Sequence, residues 1–143
     1  MNPDLVPAPV PARYTGRMET QDHVLVVDDD AEIRGLLHDY LKKSGYRVSA
    51  VADGRAMWVA FEAARPDIVV LDVMMPYMDG FEVLKSLRRE PETENLPVIM
   101  LTAKAQDKDV FEGYHYGADM YLTKPFNPME LVTFVKRIAQ GAD

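Results

Sequence analysis

Apolar residues along this 143-residue chain fall into two alternating patterns: short unbroken runs, and longer stretches in which they recur every third or fourth position. Val24-Leu25-Val26-Val27 and Ile68-Val69-Val70-Leu71 are of the first kind. Unbroken runs rich in Val and Ile mark strands buried on both faces, as in a parallel sheet covered by helices. The pattern predicts strands over 23–28, 46–51, 67–72, 97–102 and 119–123, and helices over 30–44, 54–64, 79–90, 106–116 and 127–140. In the first helix Asp30 is available as N-cap, Ile33, Leu36, Leu37, Tyr40 and Leu41 form an apolar stripe, and Gly45 stops the last turn. Strand and helix alternating with short connections imply right-handed parallel crossovers, hence an α/β fold.

Three of the runs end on chemistry. The first is followed by Asp28-Asp29-Asp30, the third by Asp72, and the last by Lys124-Pro125. Residues placed where parallel strands stop gather at the carboxyl edge of the sheet, where open α/β folds bind ligands. Carboxylates crowded there repel one another, which calls for a cation. Lys124 adds a positive group, so the edge is suited to a divalent metal and a phosphoryl group.

Composition narrows the field. A net charge of −7 disfavours direct nucleic-acid binding, since duplex affinity rests on Lys and Arg, and points to protein partners. Without cysteine there are no disulfides, thiolate metal sites or cysteine nucleophiles. No apolar stretch reaches the roughly 18 to 20 residues needed to cross a bilayer, and no basic region leads an apolar core at the N-terminus. The expectation is a cytoplasmic protein without membrane attachment. Pro3, Pro7, Pro9 and Pro11 set residues 1–20 apart as a Pro-rich tail or linker, with Met18 as a second candidate start, and leave 21–143 as one domain. That length is expected to be too short for an added DNA-binding domain.

The ordered landmarks resemble the receiver domain of bacterial two-component response regulators. They are Asp28-Asp29 after the first strand and Leu71-Asp72-Val73-Met74-Met75-Pro76-Tyr77-Met78-Asp79-Gly80 after the third. Met100-Leu101-Thr102-Ala103 ends the fourth, and Gly117-Ala118-Asp119-Met120-Tyr121-Leu122-Thr123-Lys124-Pro125-Phe126 surrounds the fifth. The match spans about residues 22 to 140. The resemblance implies a doubly wound, five-stranded, CheY-like parallel sheet of order 2-1-3-4-5. It implies Asp72 as phosphoacceptor, with Mg²⁺ (or Mn²⁺) held by Asp29 directly, by Asp28 through a water, by Asp72, and by the backbone carbonyl of Met74. Lys124, aimed by a cis link to Pro125, would bind the phosphoryl group, and Thr102 and Tyr121 would form the switch. It further implies phosphorylation by a histidine kinase or phosphotransfer protein, and self-phosphorylating and self-dephosphorylating chemistry rather than that of a turnover enzyme. Output would pass through the face of the fourth helix, fifth strand and fifth helix, to a protein partner or a second copy.

Two other readings compete. The Asp28-Asp29-Asp30 run fits the Asp-x-Asp opening of haloacid-dehalogenase-like phosphatases, but Glu32 stands where those enzymes have Thr or Val, and Asp72 and Lys124 would go unused. A flavodoxin-like cofactor binder lacks its phosphate loop here. Within the receiver reading, the chain is either a stand-alone regulator or the receiver of a winged-helix transcription factor. Val110, Met120 and Phe134 replace the charged dimerisation residues of the latter, and the stand-alone form is favoured. With Phe111, Tyr114 and Val132 they are expected to form an exposed apolar patch. His23, His38 and His115 are too dispersed for a metal set, and Trp58 and the methionines read as packing residues.

Overall fold

The computed structural model describes residues 22–75, 78–103 and 117–140. Five parallel strands, β1 (His23–Val27), β2 (Arg47–Val51), β3 (Ile68–Asp72), β4 (Val98–Thr102) and β5 (Met120–Thr123), form a sheet of order β2-β1-β3-β4-β5. This is the predicted doubly wound order. The helices are α1 (Ala31–Lys43), α2 (Gly54–Ala63), α3 (Gly80–Arg89) and α4 (Pro128–Ala139). Here α4 is the fifth helix of the sequence pattern, because the predicted helix over 106–116, with Val110, Phe111, Tyr114 and His115, lies outside the described residues, as does the tail over 1–20.

Side chains alternate across a strand, so one run feeds two cores. Leu25, Val27, Val69 and Leu71 pack with Met57 of α2 and Phe81, Leu84 and Leu87 of α3 on one side of the sheet. Val24, Val26, Ile68 and Val70 pack with Leu37 and Leu41 of α1 and Leu131, Val132 and Val135 of α4 on the other. β1, β3 and β4 are buried throughout, as unbroken apolar runs require, whereas the edge strands β2 and β5 are partly exposed.

The helix termini follow their local chemistry. Asp30, Asp53, Asp79 and Asn127 each accept from backbone N–H groups in the first turn of α1, α2, α3 and α4. Gly45, at φ +100°, follows the end of α1 in the left-handed region that glycine adopts without strain.

Two expectations need correction. Leu36 is 41% exposed, because it lies at the margin of the stripe, while Ile33, Leu37, Tyr40 and Leu41 carry the contact of α1 with the core. Val132 is buried at 1% exposure, with Met120 and Phe134 half-buried against the same core. α4 directs this side onto the sheet, so these three do not form an exposed patch. A two-residue antiparallel ladder, Met74–Met75 with Met78–Asp79, was not predicted; its strands are too short to carry a periodic signal.

Candidate functional site

The register of the sheet assembles the site. Val27 pairs with Leu71, so the residues one step beyond them, Asp28 and Asp72, leave neighbouring strands side by side. On the far side of β3, Thr102 pairs with Thr123, and its carbonyl accepts the Lys124 N–H at 2.6 Å. Four functional side chains thus come from four different segments to one end of the sheet.

Asp28, Asp29 and Asp72 each present one carboxylate oxygen within 4.8 Å of the others. Asp28 has no exposure and Asp72 only 3%, whereas Asp29 is exposed. The Lys124 ammonium stands 2.9 Å from Asp28 Oδ2 and 3.3 Å from Asp72 Oδ1. Its nearer partner is therefore Asp28, which sequence reasoning did not assign. Strand order explains this, since the central position of β3 lets a long side chain from beyond β4 reach across to β1.

Burial, together with the negative charge of Asp28, pushes the Asp72 carboxyl up to about 7. A hydrogen bond with Asp29 acts in the same direction, while Lys124 and the Met74 N–H, 3.3 Å from Oδ1, pull it back. For Lys124, burial is the largest single influence and disfavours the cation. Its contacts with Asp28 and Asp72 together outweigh burial and leave its pKa raised. Asp28 Oδ2 is inaccessible and accepts no well-aligned hydrogen bond, so the ion pair to Lys124 is its compensation. Three clustered carboxylates, two of them paired with one lysine and one with a buried oxygen short of donors, make an oxygen-rich set that fits a hard divalent cation such as Mg²⁺.

Thr102 is buried, and Tyr121 is half-buried with its ring 6.5 Å from that of Phe81. The Lys124–Pro125 bond is cis, as expected. Met74, two residues beyond Asp72, is 72% exposed. His23 lies apart from it, hydrogen-bonded to Ser49 Oγ at 2.8 Å and to the Arg65 carbonyl at 3.2 Å, in keeping with a packing role.

Two residues escaped sequence reasoning. Gly80, named there only as the last residue of the segment after the third strand, lies directly behind the phosphoacceptor candidate: a Cβ at this position would stand 2.3 Å from the Asp72 carbonyl oxygen. Arg34 reaches back from α1 to donate to the Asp28 carbonyl at 2.8 Å. No sequence signal separates it from a solvated helix arginine.

Comparison with known proteins agrees with this geometry. The family model described as response regulator receiver domain matches residues 24–136. Regulatory protein VanRc of Enterococcus gallinarum is 44% identical over 115 residues, covering 80% of this chain and 48% of that protein. The alkaline phosphatase synthesis transcriptional regulatory protein PhoP of Bacillus subtilis is 43% identical, covering 84% and 49%. The chain thus spans about half the length of the curated relatives it matches. Among solved structures, chemotaxis protein CheY4 of Vibrio cholerae superposes with a TM-score of 0.78 at 37% identity, over 82% of this chain and 98% of that one. DrrB, a Thermotoga maritima OmpR/PhoB homologue, gives 0.75 at 36% identity over 85% and 54%. With the sheet order, the acidic trio and the opposed lysine in place, the chain belongs to the response regulator receiver family of two-component systems.

Proposed function

We propose that the chain is a phosphorylation-operated switch in which Asp72 accepts a phosphoryl group from a histidine kinase or phosphotransfer protein. The observation that carries this reading is the convergence of Asp28, Asp29 and Asp72 within 4.8 Å, with the Lys124 ammonium 3.3 Å from Asp72. In the reaction an Asp72 oxygen attacks phosphorus, the bond to the donor breaks, and an acyl phosphate forms. Asp29 and Asp72, with Asp28 and the Met74 carbonyl, would hold Mg²⁺, which supplies charge neutralisation on the transferring group. Lys124 is positioned to turn from the carboxylates to a phosphoryl oxygen, a contact available only after transfer. Deprotonation of Asp72 is a precondition, because a protonated carboxyl is a poor nucleophile; neutralisation of its neighbours favours it.

The output step rests on Thr102 and Tyr121. A phosphoryl group that binds the Thr102 hydroxyl would bias the half-buried Tyr121 ring between two packings and alter the face around β5 and α4. That face would control a protein partner or a second copy, and the protein would act in the cytoplasm as a phosphoacceptor rather than a turnover enzyme. A second reading has an observation of its own: relatives such as PhoP are named transcriptional regulators and are about twice as long as the matched region. In that case the chain is a receiver that governs a separate DNA-contacting domain. Both readings share the same chemistry at Asp72.

Incubation with Mg²⁺ and acetyl phosphate should add one hydroxylamine-sensitive phosphate, seen as a single mass increment by intact mass spectrometry. Asp72→Asn should remove it. Full labelling of the Asn variant would place the phosphoacceptor elsewhere.

A further inference from the structure

Burial holds Asp28 and Asp72 in place, but Asp29 is exposed and sits in the loop between β1 and α1. Something other than packing has to aim it. The loop's own bonds fix its two ends: the Asp28 N–H donates to the Val51 carbonyl at 3.1 Å, and Asp28 Oδ1 accepts from the Asp30 N–H at 2.9 Å. Between them lies the peptide group joining Asp28 to Asp29. Its carbonyl oxygen is the atom that Arg34 Nη1 binds at 2.8 Å. Because a peptide group is planar, holding that oxygen also fixes the direction in which the Asp29 backbone, and then its side chain, departs.

We propose that Arg34 is a positioning residue for the metal-binding carboxylate of Asp29. It acts through the Asp28 carbonyl and not by contact with the metal, and the inference rests on the reading of the site as a Mg²⁺-dependent phosphoacceptor. Its charge alone would do the reverse. A cation near the acidic trio opposes the arrival of a second one, so an Arg34 that acted only through long-range charge would weaken Mg²⁺ binding, and its removal would strengthen it. A positioning Arg34 strengthens Mg²⁺ binding, and its removal weakens it. The two roles therefore differ in sign.

The experiment compares wild type, Arg34→Met and Arg34→Lys. The first variant keeps an apolar stem without donor or charge; the second keeps both on a shorter reach. The readout is the Mg²⁺ concentration giving half of the maximal Mg²⁺-induced shift in melting temperature, together with the acetyl phosphate labelling rate as a function of Mg²⁺. Arg34→Met should need about tenfold more Mg²⁺, the low end for removing an outer partner of a metal ligand, and should approach the wild-type labelling rate when Mg²⁺ is saturating. Arg34→Lys should lie between. A lower melting temperature with an unchanged or tighter Mg²⁺ midpoint would overturn the proposal, leaving Arg34 as a structural or purely electrostatic residue. If Arg34→Met does not fold, Arg34→Lys decides alone: a weaker midpoint upholds positioning, and an unchanged one overturns it. Wild-type labelling that ignores Mg²⁺ would be a different failure, that of the metal-dependent reading itself.

Discussion

Asp72 is the residue at which structure and chemistry pull against each other. Its carboxyl is pushed up to about 7, from an ordinary value of 3.8, first by burial and then by Asp28. The folded protein therefore holds this proton more tightly than the unfolded chain does. Stability from the group is fully present below the unfolded value and is lost as pH rises through about 7. The full shift corresponds to about 4 kcal/mol. Because the site opens to solvent at Asp29 and Lys124 can readjust, we expect roughly half, about 2 kcal/mol. In EDTA, urea denaturation at several pH values should show wild type losing stability from pH ~4 to pH ~7 relative to Asp72→Asn, which cannot ionise. A constant difference between the two across that range would mean that Asp72 does not titrate as this geometry requires. Of the residues that converge here, the acidic pair, Asp72 and Lys124 were legible because each ends or follows an apolar run, whereas Thr102 was reached only through the resemblance to receiver domains. The nearer pairing of Lys124 with Asp28 was not, since it depends on which strands are neighbours.

At the level of elements, the unbroken runs were easy to read because a central parallel strand must be apolar on both faces. β1, β3 and β4 start and end within one residue of their predicted limits. The ladder after β3 was invisible, and it matters most for how Asp72 is held. The Gly80 N–H donates to the Val73 carbonyl at 2.7 Å, drawing the start of α3 against the chain that carries Asp72. A methyl group at Gly80 would lie 2.3 Å from the Asp72 carbonyl oxygen and 2.8 Å from the Val73 Cα, both backbone atoms that cannot rotate away. Gly80→Ala should cost about 2–3 kcal/mol, at the upper part of the overpacking range, and should slow labelling of Asp72 as that loop shifts. Denaturation midpoints and the acetyl phosphate reaction would check this. An Ala variant with wild-type values in both would show that the close approach can relax freely. The exposed patch failed for a related reason: sequence counts apolar positions on a helix, but only the packing of α4 decides that Val132 points inward.

For the whole molecule, the site is a concentration of negative charge in a protein that already carries a net −7. Divalent cations can therefore stabilise it in two ways: by screening the overall charge, and by binding at Asp28, Asp29 and Asp72. The two are separable. At a Mg²⁺ concentration ten times its dissociation constant, specific binding should add about 1.4 kcal/mol by mass action, a rise of about 4 °C in melting temperature for a domain of this size. NaCl at the same ionic strength supplies screening without the site, and should give only a minor part of that rise. Asp29→Ala removes one ligand but also one of three mutually repelling charges. Without metal it should therefore melt at or above wild type, while its response to Mg²⁺ should fall to that of NaCl. An equal Mg²⁺ response in both proteins would take Asp29 out of the site. An equal response of wild type to Mg²⁺ and NaCl would reduce the acidic trio to one more patch of surface charge.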